Sequence, residues 1–183
     1  MVEIADFVPH APVPREIVDE YRGRVPDELI EVWENYGYGT FGEGFLRIID
    51  PKLYEAEVGD CIGKTQGDGI AIPVMTTGLG DLITWEPSVG FIAIMYRLGD
   101  TQALGRTFEG LILFLEDEIL LEDLKAEIFP GAVAAHGELP YDQSFIFVPL
   151  LSMGGEAKVE NLHKRDTIAS IQVAVDLQGI IGH

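Results

Sequence analysis

The chain has 183 residues, of which 47% are hydrophobic, so it can bury a sizeable core without a disulfide or a structural metal. Twelve basic residues face 31 acidic ones, which gives a formal net charge of −19. Such a field repels nucleic acids and anionic membranes, because both are polyanions, and it attracts cationic partners. The same surplus of charge is also typical of proteins whose acidity only keeps them soluble.

The N-terminal sequence lacks the features of a signal peptide. Glu3 and Asp6 lie where positive charge is expected, and no apolar core follows them. No apolar run approaches the roughly 18 residues of a membrane-spanning helix. Cys61 is the only cysteine, so no internal disulfide can form. These features together predict a cytoplasmic protein with no membrane segment.

The first quarter of the chain is expected to be helical after an irregular start. Residues 1–13 are rich in proline and are expected to form an irregular arm. Short helices are predicted over residues 15–24 and 27–36, since each follows a proline, which is tolerated at a helix start. Gly37 is expected to end the second helix, and residues 37–44 are expected to form a glycine-rich turn.

The middle of the chain is dominated by β-forming segments. A short helix is predicted over residues 51–58. The segment 86–90 has turn chemistry and predicts an antiparallel hairpin at the centre of a small sheet. Strands are predicted over residues 45–50, 70–75, 82–85 and 91–98.

From about residue 101 the pattern becomes helical again. Helices are predicted over residues 108–115 and 118–129, with Pro130 and Gly131 ending the second one. A β-rich segment over 145–151 and a polar segment over 160–164 precede a last helix, 168–177, which Asp166 or Thr167 caps. The fold class is therefore predicted to be α+β, with a mostly antiparallel sheet flanked by N-terminal and C-terminal helices.

Residues 37–42 match the pattern G-x-G-x-x-G. In a dinucleotide site this pattern follows a strand and opens a helix, so that the helix N-terminus faces the pyrophosphate. Here it follows a predicted helix and precedes a predicted strand, which favours a turn that needs positive φ. A small-ligand or nucleotide-binding regulatory domain that uses the Gly37–Gly44 turn is kept as the alternative function.

No catalytic, cofactor-binding or metal-binding residues are predicted. The four histidines do not pair at metal-ligand spacing, and a single cysteine cannot complete a thiolate site. No serine lies in a G-x-S-x-G elbow. Acidic neighbours of Cys61 would raise its pKa if they also lie close in space, which argues against an activated thiolate. The chain is therefore predicted not to be an enzyme, with a hydrolase of unrecognised pattern as a third hypothesis.

The densest acidic stretch lies between residues 109 and 127, where only Lys125 opposes the negative charge. One interpretation is a solvated helix face and loop. The functional interpretation is a patch that meets a basic surface on a partner, since such charges speed encounter and set partner choice. The residues predicted for this interface are Glu116, Asp117, Glu118, Glu122 and Asp123.

Three segments together resemble known families of bacterial polymorphic-toxin loci. The proline-led helix PDELIEVWENYG at 26–37 resembles the opening helix of the GAD-like domain, and similar helices occur in the SUKH immunity superfamily. The segment GDLITWE at 80–86 looks like a strand of the same domains. The segment YDQSFIFVPLLSMGG at 141–155, followed by VENL at 159–162, resembles the C-terminal domain of type VI secretion immunity proteins.

The resemblance implies a two-part immunity protein. Residues 1–100 would form the GAD-like domain, and residues 101–183 an immunity-type C-terminal domain packed closely against it. The implied function is to bind a cognate secreted nuclease toxin, a DNase, and to occlude its DNA-binding or catalytic surface. The implied partner is a toxin with a basic surface, with no nucleic acid, membrane or cofactor. The family offers no catalytic residues to carry over, and its toxin contacts differ between members.

Overall fold

A computed structural model of the protein describes residues 2–63 and 67–182. Its centre is a seven-stranded sheet in which the strands lie side by side in chain order and every neighbouring pair is antiparallel. Two further strands form a separate antiparallel pair. The strands are β1 (Val8–Ala11), β2 (Tyr38–Phe41), β3 (Leu46–Ile48), β4 (Ile72–Thr77), β5 (Leu82–Glu86), β6 (Gly90–Met95), β7 (Asp100–Ala103), β8 (Gln143–Phe147) and β9 (Leu162–Asp166).

The helices cover the sheet from both sides. The α-helices are α1 (Arg15–Tyr21), α2 (Asp27–Asn35), α3 (Pro51–Val58), α4 (Phe108–Glu116), α5 (Ile119–Asp123), α6 (Ile128–His136) and α7 (Thr167–Gln178). Short 3-10 turns lie at Gly59–Cys61, Leu151–Met153 and Val159–Asn161.

The sheet is buried on both faces at its centre. Leu82 and Ile94 pair across β5 and β6 and belong to a hydrophobic cluster with α3 and α7. Ile83 and Ala93 pair one residue further along and belong to a larger cluster with α1, α2, α4, α5 and α6. Because successive side chains of a strand point to opposite faces, the two clusters lie on opposite sides of the sheet.

The two halves of the chain share the larger cluster. The ring of Phe108 lies 6.1 Å from that of Phe41 and 6.3 Å from that of Phe91, measured between centroids. Across the same junction, the Tyr141 hydroxyl donates to the Ile48 carbonyl oxygen at 2.7 Å. The predicted domain boundary at residue 100 falls at the start of β7, which pairs with β6.

Much of the predicted element order is confirmed. The α+β class and the flanking helices are as expected, and the helix over 51–58 has the predicted bounds. Gly37 follows α2 with φ of 80°. The central hairpin is β5–β6. Asp166 caps α7 by accepting a hydrogen bond from the Ala169 amide at 2.8 Å.

Two expectations for the N-terminal region are wrong. Residues 1–13, which were expected to be irregular, contain β1. This strand tolerates Pro9 because it lies at the edge of the sheet, where a residue without an amide hydrogen can be accommodated. The supposed turn over 37–44 contains β2. Gly39 lies inside this strand, where a Cβ would approach the Phe7 ring to 2.5 Å, so the glycine serves close packing.

Other differences concern the second half. The predicted helix over 118–129 is interrupted at Lys125, where φ is 49°, and Pro130 and Gly131 lie within α6. Pro130 is in the first helical turn, where its missing amide hydrogen is not needed. The polar segment over 160–164 belongs mostly to β9, and β7 was not expected. The remaining predicted helices and strands differ from the observed ones by a few residues at their ends.

Candidate functional site

The five predicted interface residues lie together on α4, α5 and the bend between these helices. Glu116, Asp117, Glu118, Glu122 and Asp123 are all exposed. The same surface carries three large apolar side chains that solvent reaches: Leu113 is 54% exposed, Phe114 37% and Ile119 39%. We call these eight residues the α4–α5 surface. It combines apolar side chains with surrounding carboxylates.

The orientation of α4 is set at its N-terminus. The Thr107 hydroxyl accepts a hydrogen bond from the Gly110 amide at 3.1 Å. The Glu28 carboxylate of α2 accepts a second one from the Phe108 amide at 2.7 Å. Two amides that would otherwise be unpaired are thereby satisfied. The negative charge of Glu28 also interacts favourably with the positive end of the helix dipole. With Phe108 and Leu111 buried against the sheet, the opposite side of α4 faces solvent.

A bend turns the chain from α4 into α5. Glu118 adopts a left-handed conformation with φ of 60°, which is uncommon for a residue other than glycine. Leu120 and Leu124, which precede and follow Glu122 and Asp123 in the chain, are fully buried. The bend and these two leucines hold the five carboxylates outward on one short segment.

A buried ion pair attaches α5 to the sheet. Arg97 donates to the Asp81 carboxylate from Nε at 3.1 Å, and the side chains of the pair are 9% and 0% exposed. The guanidinium also donates to the backbone oxygens of Leu124 and Lys125, the latter at 3.2 Å. The position of the acidic segment is therefore coupled to the β4–β5 hairpin that carries Asp81.

Asp81 is surrounded by groups that hold its carboxylate in place. The Thr77 hydroxyl donates to it at 2.8 Å and itself accepts from the amides of Leu79 and Asp81 at 3.2 Å. Burial raises the pKa of Asp81, and both Arg97 and the Thr77 hydroxyl oppose that rise. With its carboxylate oxygens occupied in this way, the residue serves as an anchor for the segment.

The glycine-rich segment over 37–44 has a packing role at most of its glycines. A Cβ at Gly37 would lie 2.5 Å from the Ala11 carbonyl oxygen, and one at Gly42 would lie 2.6 Å from a methyl group of Leu115. The segment leads into β3, whereas the glycine motif of a dinucleotide site leads into a helix.

The histidines and the cysteine that the structure describes lie apart from one another in their contacts. Among the described residues, no group of three or more histidine, cysteine, aspartate or glutamate side chains is placed to hold a metal ion. Cys61 is buried, and burial raises its pKa. His10 stacks on Tyr141, and His136 hydrogen-bonds the Val159 carbonyl oxygen at 2.8 Å. His183 lies outside the described residues.

Sequence reasoning missed the apolar part of the α4–α5 surface and the ion pair that anchors it. One signal was available, because α4 has the sequence FEGLILFLE and is apolar on more sides than a single interface can bury. Leu113 and Phe114 are the residues left over. The pairing of Arg97 with Asp81 had no such signal, since it depends on the β4–β5–β6 register.

Two family models match successive parts of the chain. The GAD-like domain family matches residues 2–97, just over half of the chain. The family described as "T6SS immunity protein Tdi1, C-terminal" matches residues 106–174. No curated protein matches the sequence. Within the described residues, no helix is long and apolar enough to cross a membrane.

The fold is shared with a protein of known structure. That structure is titled "Crystal structure of Atu4351 from Agrobacterium tumefaciens" and superposes with a TM-score of 0.72 at 20% sequence identity. The match covers 92% of this chain and 84% of that one. The chain therefore belongs to the GAD-like domain family and carries the C-terminal domain of type VI secretion (T6SS) immunity proteins.

Proposed function

We propose that this protein acts in the cytoplasm as a non-enzymatic inhibitor of a secreted DNase toxin, which it binds through the α4–α5 surface. The observation that carries the proposal is the set of five exposed carboxylates around Leu113, Phe114 and Ile119. On this account the bound protein occludes the toxin's DNA-binding or catalytic surface.

The charge of the surface suits a nuclease as the partner. A DNase must present lysine and arginine side chains to hold phosphate groups. The α4–α5 surface offers a dense array of carboxylates to such a site, on a chain whose formal net charge is −19. Opposite charges on two proteins steer their encounter and raise the association rate.

The apolar side chains supply what charge alone does not. Stable interfaces place aromatic and aliphatic anchors at the centre and polar groups at the rim. Phe114 and Ile119 are large side chains exposed amid charged neighbours, so burying them on a partner is favourable. We therefore assign anchoring to the apolar residues and steering to the carboxylates.

The test is co-expression with the product of the adjacent gene, followed by purification and a nuclease assay. The proposal expects a stable complex in which DNA cleavage is lost. A second toxin from an unrelated locus serves as the control for specificity. Absence of a complex, with DNA cleavage unchanged, would exclude inhibition of that nuclease by direct binding.

A further inference from the structure

A cleft between the sheet and α6 contains a buried arginine. The cleft has a volume of about 530 Å³ and is lined by residues of both halves of the chain. Arg47 of β3 lines it, and its side chain is fully buried. Thr40 and Thr76 pair with Arg47 from the two neighbouring strands, and Thr40 also lines the cleft.

The guanidinium of Arg47 has no partner among the described residues. Nε, Nη1 and Nη2 are all buried and make no hydrogen bond there. A guanidinium carries five N–H donors and stays protonated, so burying it without an acceptor costs much of its hydration free energy. Arg97, the other deeply placed arginine, pairs with a carboxylate and two carbonyl oxygens. An acceptor brought to Arg47 by a ligand would satisfy these donors.

The tyrosines near Arg47 do not supply a compensating charge. Burial raises the pKa of both Tyr54 and Tyr141, so the phenols are neutral at physiological pH. The Tyr141 hydroxyl is already committed to the Ile48 carbonyl oxygen. Burial lowers the pKa of Arg47 to about 10, which still leaves it positively charged at neutral pH.

The packing next to Arg47 keeps room for its side chain. A Cβ on Gly78 would lie 2.9 Å from Nη1 of Arg47 and 2.2 Å from Cε2 of Phe129. The absence of a side chain at this position thus lets the guanidinium and the aromatic ring approach the backbone together. Phe129 is fixed in turn by an edge contact with Phe45, with ring centroids 5.1 Å apart.

The remaining lining defines the chemistry of a ligand. Part of the wall is apolar, with contributions from Leu115, Leu121 and Val133. The exposed lining residues include Asp6, Glu43 and Glu138, whose negative charges repel a dianion such as phosphate more strongly than a singly charged ligand. A carboxylate matches the fork of a guanidinium with two parallel hydrogen bonds. The volume is in the range of small-molecule sites.

We propose that this cleft binds a small monocarboxylate with an apolar body, its carboxylate accepting hydrogen bonds from Arg47. This site is separate from the α4–α5 surface, and Leu115 and Leu121 contribute to it from the inner side of the same two helices. Binding would satisfy the guanidinium and fill the space between the sheet and α6.

Titration calorimetry of the full chain with hexanoate tests the proposal, with hexanamide as the uncharged analogue. Hexanoate is expected to bind, and hexanamide to bind roughly tenfold or more weakly, because the charged hydrogen bonds to Arg47 are lost. Arg47→Met is expected to remove the preference for hexanoate. Arg15→Met is the matched control, since the Arg15 side chain is 94% exposed, and it is expected to bind as the natural protein does.

A second variant covers the case in which Arg47→Met does not fold. Val133→Trp adds bulk to a half-buried wall of the cleft while leaving Arg47 in place, and it is expected to block hexanoate. Equal binding of hexanoate and hexanamide, or unaltered hexanoate binding in folded Arg47→Met or Val133→Trp, would overturn the proposal. Inorganic phosphate binding as tightly as hexanoate would overturn the assignment to a monocarboxylate.

Discussion

At the scale of single residues, the two deeply placed arginines differ in the hydrogen bonds that their guanidinium groups make. Arg97 reaches Asp81 and the carbonyl oxygens at the end of α5. Arg47 lies beside Gly78 and Phe129 without an acceptor among the described residues. A paired buried charge holds two elements in position. An unpaired buried charge lowers the stability of the fold unless a ligand pairs with it.

The tight packing at Gly78 leads to a stability prediction. Gly78→Ala places a methyl group within 2.2 Å of the Phe129 ring, so the ring or the backbone must move. We expect a loss of about 1–3 kcal/mol in the free energy of unfolding, measured by urea denaturation.

Gly59→Ala is the matched control for that substitution. Gly59 has helical dihedral angles, with φ of −55°, and a Cβ there meets no atom within 4 Å. We expect this variant to gain about 0.4–1 kcal/mol, because alanine restricts the unfolded chain. Equal stability of the two variants would contradict the packing described for Gly78.

At the scale of elements, α5 depends on Arg97 for its position. Arg97→Met leaves the Asp81 carboxylate buried without its cation and frees the carbonyl oxygens of Leu124 and Lys125. We expect a loss of about 3–5 kcal/mol in unfolding free energy, the usual cost of breaking a buried pair. Hydrogen exchange is expected to speed up most at the amides of residues 119–126.

Arg106→Met is the comparison variant, because Arg106 is exposed and its side chain donates a hydrogen bond to the Ser88 carbonyl oxygen at 3.1 Å, away from α5. It is expected to leave exchange in α5 unchanged. If exchange in Arg97→Met rises equally in α5 and in the β5–β6 hairpin, the anchoring role assigned to Arg97 is wrong.

The same segment yields a prediction about binding. Phe114 is the aromatic side chain of the α4–α5 surface and is 37% exposed. Phe114→Ala is expected to raise the dissociation rate of the toxin complex roughly tenfold or more, as truncation of an interface anchor does. Surface plasmon resonance measures this rate.

Leu177→Ala provides the control for that measurement, since Leu177 is also an exposed apolar residue, at 55%, but lies on α7. Its dissociation rate is expected to match that of the natural protein. A larger effect at Leu177 than at Phe114 would move the interface from α4 to α7.

The elements also show where sequence reasoning succeeds and where it fails. Helix α3 has the predicted bounds, and its start depends on local residues: Pro51 is the first helical residue, and the Asp50 carboxylate accepts a hydrogen bond from the Lys52 amide at 2.9 Å. Strand β9 was missed because its polar sequence becomes a strand only by pairing with β8. The break at Lys125 was missed because the helical period continues across it.

The candidate site was likewise predictable from the sequence only in part. Its carboxylates were identifiable from composition along the chain, because charge density is a local property. The exposure of Phe114 required knowing which side of an apolar helix packs on the sheet. The cleft at Arg47 depends on β3, Gly78 and α6, which are far apart in sequence, so no local pattern indicates it.

At the scale of the whole molecule, the two family-matched halves form one body with a shared core. The α4–α5 surface belongs to the second half and is anchored to the first through Arg97 and Glu28. The formal net charge of −19 also attracts a basic partner from beyond the distance of direct contact. Neutralising the surface should therefore alter encounter more than neutralising the same number of carboxylates elsewhere.

The most direct test of the account compares association rates at several salt concentrations for two variants of equal net charge. One replaces the five carboxylates of the α4–α5 surface by amides, and the other replaces five exposed carboxylates elsewhere, at Glu16, Glu31, Glu57, Asp60 and Asp176. We predict that only the first variant associates roughly tenfold or more slowly at low salt and with a flatter salt dependence, because local charge steers encounter. Equal slowing in both variants, or in neither, would contradict binding through the α4–α5 surface.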